Sequence, residues 1–194
     1  MNMNLPNKLT MARIAIVPLV VLIYLWIPET AMVYDPVSGL CLRDVISFLL
    51  FAAASITDFL DGQIARKNNL ITSFGKFADP IADKLLVNTL LILMVYMHKA
   101  SIIAVLLMIA RDLMVDGLRM VASQQGKVVS AGIFGKIKTV LQMFAIATLL
   151  LQNWPFSSIG LPVSTILLWA ATLMSLYSGY VYFMKLKKYV FESM

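Results

Sequence analysis

The sequence predicts an all-α fold, a polytopic membrane protein of six transmembrane helices with an N-terminal amphipathic lead-in and both termini in the cytoplasm. Three observations predict it. Of 194 residues, 60% are hydrophobic and only 13% charged, with a mean hydropathy of +0.85. Soluble domains carry about a quarter charged residues. The apolar residues gather in long runs, several near the length of about 20 residues that a bilayer-spanning helix needs. The lysines and arginines concentrate in alternate loops. Six spans over residues 1–194 make a single membrane-embedded domain and leave no room for a soluble one.

The first span is Ile14–Ile27, preceded by the lead-in "MNMNLPNKLTMAR". The next is Val45–Asp61, followed by Ile81–Met97, Ile102–Val121, Ile133–Leu151 and Leu161–Met184. Breakers separate them: Pro28, Pro36 and Gly39, then Asn68 and Asn69, then Gly126, then "NWPFSSIGLP". With an even number of spans both ends share a side. On that side fall 12 of the 16 basic residues, from Lys8 and Arg13 through Lys127 to Lys188. The opposite loops hold only Arg43 and Lys99, and such an asymmetry marks the cytoplasmic side. Topology and anionic headgroups therefore explain the net charge of +6, and no nucleic-acid partner is expected. No A-x-A cleavage site follows a short apolar region, so no cleaved signal peptide is expected. Cys41, the single cysteine, has no intrachain partner and reads as a small apolar side chain. His98, the single histidine, reads as an interfacial residue at the far face.

One segment breaks the apolar pattern. "TDFLDGQIARKNNLITSFGKFADPIADK" carries Asp58, Asp61, Asp79 and Asp83. An ionised carboxylate at membrane depth persists only against a polar cavity, a partner or an ion. Spacings of three and four put Asp58 with Asp61 on one helix face, and Asp79 with Asp83 on another. The short Lys67–Gly75 connection brings the two helix ends together. Four converging carboxylates need positive charge. All-oxygen ligands without nearby His or Cys suit Mg²⁺, Mn²⁺ or Ca²⁺ and argue against zinc. Mg²⁺ held by carboxylates commonly completes its shell with substrate phosphates, which points to phosphate chemistry. Gly62, Ala65 and Gly75 let a ligand approach the backbone, or let two helices pack closely. Arg66 is either a phosphate fork or a positive-inside anchor. Pro80 is expected in a first helical turn.

These residues read D-x-x-D-G-x-x-A-R-x8-G-x-x-x-D-x-x-x-D with all eight fixed positions present. The pattern resembles the signature of the CDP-alcohol phosphotransferase family. The resemblance implies a six-helix, dimeric, Mg²⁺- or Mn²⁺-dependent membrane enzyme that moves a phosphatidyl group from a CDP-linked lipid to an alcohol and releases CMP. It makes Asp58, Asp61, Asp79 and Asp83 metal ligands, with Asp83 also the general base. It puts Asp61, Gly62, Ala65, Arg66 and Gly75 around the nucleotide.

The acceptor is read from the remaining polar groups. "ARDLMVDGLRM" supplies Arg111, Asp112, Asp116 and Arg119, and "GKIKT" supplies Lys136 and Lys138. "NKLTMAR" adds Asn7, Thr10 and Arg13. Several cations near the aspartates suit an acceptor that carries a phosphate, although Arg111 with Asp112 or Asp116 also fits a structural ion pair. "LPNKLTMARI", "FGKFADPIADKLL", "IARDLMVDGLR" and "GKIKTVLQM" resemble the bacterial branch of the family that takes sn-glycerol 3-phosphate as acceptor and CDP-diacylglycerol as donor. In that reading Arg111, Arg119, Lys136, Lys138, Thr10 and Asn7 bind the acceptor phosphate, and membrane lipids surround a homodimer. Inositol phosphate is the rival acceptor, and phosphatidylglycerol needs fewer cations. A cation- or proton-coupled transporter would place carboxylates near the midplane rather than at one face. A structural assembly protein would not need eight specified positions. The long first external loop, "PETAMVYDPVSGLCLRD", faces away from the site.

Overall fold

The computed structural model describes residues 4–31, 35, 37–67, 72–124 and 132–191, with side chains except at 59–67, 73, 76 and 188–191. Six α-helices make up the described chain: α1 Leu5–Trp26, α2 Leu42–Lys67, α3 Ser73–Tyr96, α4 Ile102–Gln124, α5 Ile133–Leu150 and α6 Val163–Phe191. A short 3₁₀ turn, Phe156–Ile159, precedes α6. Among the described residues the only extended pairing is an isolated bridge between Asp35 and Leu40 in the α1–α2 loop.

Two expectations from sequence change here. The lead-in is no separate element, because α1 begins at Leu5 and runs unbroken through it. Asn4 caps that start, its Oδ1 accepting from the Asn7 N–H at 3.1 Å, and Pro6 occupies the first turn, where a missing N–H costs little. Pro80 is not in a first turn either, since Thr72 caps α3 and the helix starts at Ser73. Thr72 Oγ1 accepts from the Gly75 N–H at 3.0 Å, which moves the helix start seven residues ahead of the proline. The proline then leaves the carbonyl one turn earlier, at position 76, without its usual helical donor.

The helices form two groups joined through α5 and through the contact of α3 with α4. α1 lies against α2 and α3, α6 packs on α4 and α5, and α5 also touches α2 and α3. Between them runs an apolar core that includes Leu90, Leu91, Met94, Met108, Ile146, Leu150 and Leu168, all sealed from solvent. The outer faces are apolar as well. Ile92, Ile103, Leu106, Leu113, Ile166, Leu173 and Tyr180 are each more than half exposed. An apolar exterior of that extent is what a hydrocarbon environment covers. α1, α5 and α6 are long and apolar enough to cross a membrane. α3 and α4 carry four charged residues each, and α2 ends in the charged segment from Asp58 onward. Those interruptions build the site.

At the far end from Asp58, about 20 Å away along α2 at 1.5 Å per residue, a second polar group pins the helix ends. Asp44 is fully buried and accepts from Tyr24 Oη at 3.1 Å, Lys99 Nζ at 3.0 Å, Gln152 Nε2 at 2.9 Å and the Cys41 N–H at 3.3 Å. Arg43 beside it pairs with Glu29 and lies over the Tyr24 ring, 5.1 Å from its centre. Arg43 and Lys99, the two basic residues expected in the external loops, thus meet at one carboxylate. His98 is exposed just beyond α3, with φ +57°.

Candidate active site

α1 presents Asn7, Thr10 and Arg13 at steps of three, so one face of the helix meets the aspartate segment. All three are buried, Arg13 and Thr10 to 1% exposure. Arg13 carries the centre of the arrangement. Its Nη2 lies 3.0 Å from Asp58 Oδ1 on α2, and its Nη1 lies 2.9 Å from Asp83 Oδ1 on α3. A guanidinium can serve two carboxylates at once because its donors diverge in a fixed plane. Thr10 Oγ1 donates to Asp79 Oδ1 at 2.5 Å, one helical turn from Asp83. Asn7 Oδ1 accepts from Thr72 Oγ1 at 3.0 Å, which ties the start of α3 to the start of α1. Gly75 is in that corner, where a Cβ would stand 3.1 Å from Asn7 Oδ1 and 3.3 Å from Thr72 Oγ1. Glycine fits there because the cap and α1 already fill the space.

The side chains of Asp58 and Asp83 are buried against Arg13 on one side and 43% and 44% exposed on the other. They are therefore positioned and still reachable. α2 runs helically through Asp61, Gly62, Ala65 and Arg66, whose side chains lie outside the described residues, as do Lys127 and the Asn68–Asn69 turn. Among the described residues no three acidic, His or Cys side chains close into a metal cage. The oxygen-only chemistry of Asp58, Asp79 and Asp83 at one bundle end still fits a hard divalent cation.

Beside the carboxylates opens a cavity of about 300 Å³ between α3, α4, α5 and α6. That is the lower end of the range for small-molecule sites. Asp83 lies on its wall, together with Arg111, Arg119, Lys138 and Lys84. These cations are not all free to meet an anion. Asp112 accepts from Arg111 Nη1 at 2.8 Å and from Lys138 Nζ at 2.7 Å, and Lys84 pairs with Asp116. Arg119 has no carboxylate partner among the described residues. Its Nη2 donates to Tyr182 Oη at 2.7 Å, and its guanidinium stacks 4.9 Å from the centre of that ring. Tyr182 Oη also accepts from the Gly132 N–H at 2.8 Å, so one α6 side chain sets both Arg119 and the start of α5. Arg111 Nη2 donates to Ser178 Oγ at 2.7 Å. Next along α6 is Gly179, where a Cβ would stand 2.8 Å from Arg111 Cγ, so the arginine crosses α6 only because that position is bare.

Of the residues the sequence assigns to the acceptor phosphate, Arg111, Arg119 and Lys138 come together in this cavity. Lys136 is exposed and does not line it. Asn7 and Thr10 stand with Gly75 and Asp79 rather than with the cations. Arg13 was read as a cation of the cytoplasmic side and, with Asn7 and Thr10, as one of the polar groups bearing on the acceptor; its link to Asp58 and Asp83 was not read. Lys84, Gln142 and Tyr182 had no signal pointing to the site. A smaller cavity of about 80 Å³ adjoins, lined by Arg13, Phe51, Ala54, Asp58, Asp83 and Gln142 among others. Asp83 and Gln142 belong to both walls.

The chain is similar to known proteins over most of its length. Residues 3–177 match the family model for CDP-alcohol phosphatidyltransferase. A Bacillus subtilis protein named CDP-diacylglycerol–glycerol-3-phosphate 3-phosphatidyltransferase is 42% identical over 182 residues, covering 94% of each chain. Proteins of the same name from Rickettsia bellii and Rickettsia felis are 43% and 42% identical, covering 96% of this chain and 97% of theirs.

Proposed function

The chain belongs to the CDP-alcohol phosphatidyltransferase family, and we propose that it transfers the phosphatidyl group of CDP-diacylglycerol to sn-glycerol 3-phosphate. The products are phosphatidylglycerophosphate and CMP. The observation that carries this reading is the place of Asp83, on Arg13 at 2.9 Å and in the wall of the cation-lined cavity at once. A phosphorylated acceptor seated against Arg119, Arg111 and Lys138 brings its free hydroxyl to that carboxylate. Asp83 then takes the hydroxyl proton as the oxygen attacks the phosphorus that bears diacylglycerol. The bond to the CMP oxygen breaks, and the acceptor keeps its own phosphate.

Asp58, Asp61, Asp79 and Asp83 would hold Mg²⁺ or Mn²⁺, which supplies neutralisation of the diphosphate and of charge on the departing CMP. Thr10 fixes the Asp79 carboxylate, and Arg13 keeps Asp58 and Asp83 apart and aimed. Gly75 lets Asn7 and the Thr72 cap close in above them, and Gly62, Ala65 and Arg66 would serve the nucleotide, as the family resemblance implies. The six helices cross the bilayer with both termini and the site on the cytoplasmic side, in keeping with the lysine and arginine pattern. The diacylglycerol tails then stay in hydrocarbon. A homodimer belongs to the same reading, as the family resemblance implies.

The test is to offer the purified chain CDP-diacylglycerol and Mg²⁺ with a panel of phosphorylated alcohols, inositol phosphate among them. The expected result is CMP release with glycerol 3-phosphate and phosphatidylglycerophosphate as the lipid product. Turnover only with another member of the panel overturns the acceptor.

A further inference from the structure

Gln142 is the polar group that the account so far leaves unused. It is 3% exposed, on α5 one turn below Lys138. Its Nε2 is sealed from solvent and has no hydrogen-bond partner among the described residues. A buried carboxamide left unpaired costs roughly 1–3 kcal/mol. It persists where something that comes and goes completes it. Gln142 is also in the wall shared by the two cavities, together with Asp83 of α3. On α5 the step from Lys138 to Gln142 covers about 6 Å at 1.5 Å per residue. An acceptor with its phosphate at Lys138 and its reacting hydroxyl at Asp83 lies in the cavity that Gln142 also lines.

We infer that Gln142 selects the acceptor, its carboxamide pairing with the central hydroxyl of a phosphorylated polyol while Asp83 takes the terminal hydroxyl. A carboxamide matches a secondary hydroxyl in both senses, since it can donate and accept. An acceptor without that hydroxyl leaves the carboxamide unpaired. Polar sites of this kind discriminate far better than apolar ones. The inference rests on glycerol 3-phosphate being the acceptor. It concerns specificity, and Gln142 is a positioning residue that takes no proton.

The experiment compares sn-glycerol 3-phosphate with 3-hydroxypropyl phosphate, its analogue lacking the central hydroxyl, in the wild type, Gln142→Met and Gln142→Leu. The readout is the ratio of kcat/KM for the two acceptors. A ratio within one preparation does not depend on the fraction correctly folded. The wild type prefers glycerol 3-phosphate, and in an active apolar variant the ratio falls about 10- to 100-fold, the equivalent of one buried hydrogen bond. An unchanged ratio overturns the assignment, as does loss of turnover with both acceptors in both variants. A wild-type enzyme that releases CMP only with a different alcohol overturns the functional reading instead.

Discussion

Asp83 and Arg13 carry opposite charges at the same point, and their roles separate on substitution. Asp83→Asn keeps the shape and the contact with Arg13 but removes the proton acceptor. Turnover should fall about 10²- to 10⁴-fold, the usual worth of a positioned base, with CDP-diacylglycerol binding retained in an equilibrium assay. Near wild-type kcat would remove Asp83 from the base role. Arg13→Lys keeps the charge and loses the fork, so one ammonium must serve Asp58 or Asp83 but not both. Loss of one charged hydrogen bond predicts a drop in kcat/KM of about 10- to 100-fold. A lysine variant as active as the wild type would show that the bridge is dispensable. The aspartates were legible in the sequence because carboxylates among apolar residues stand out and their spacing fixes a face. The role of Arg13 as a bridge was not, because a basic residue ahead of an apolar run has a sufficient explanation in topology or in the acceptor. Only packing shows that it is buried.

At the scale of the elements, short-range chemistry explains most of what forms. Asn4 and Thr72 start α1 and α3, and bare positions at Gly75 and Gly179 let neighbours close in. The six helices were legible from apolar runs broken by Pro, Asn and Gly, although their charged ends were not. Those ends extend α2 to Lys67 and start α3 at Ser73, because caps and helical propensity, unlike hydropathy, do not stop at a charge. The Asp44 group was illegible for a different reason: Tyr24, Asp44, Lys99 and Gln152 are scattered along the chain and meet only when four helix ends do. Asp44→Asn leaves the Lys99 ammonium without its carboxylate. Breaking one side of a buried pair costs about 3 kcal/mol. A lowered Tm in detergent is expected, with kcat per folded molecule little changed, since Asp58 stands at the other end of α2. An unchanged Tm would mean that the group does not hold the bundle.

Among the described residues the molecule is a helical bundle with apolar outer faces, whose ion pairs gather into two groups, one around Asp44 and one around the site. Cysteine labelling tests the orientation. With Cys41→Ser as background, His98→Cys should react with an impermeant maleimide from outside intact cells, and Lys185→Cys only after permeabilisation. The reverse pattern would place the site outside. Composition made the membrane class legible, and the signature made the donor chemistry legible. The acceptor was less so, because three of the four cations in the cavity wall are already paired with Asp112 or Asp116, a fact that spacing alone does not reveal. The central claim is that the acceptor's own hydroxyl attacks the phosphorus bearing the lipid. Glycerol 3-phosphate carrying ¹⁸O in its terminal hydroxyl tests it most directly, by mass spectrometry of both products. The account predicts the label wholly in the lipid, bridging glycerol and phosphorus, with unlabelled CMP; label in CMP, or a lipid product without it, would contradict it.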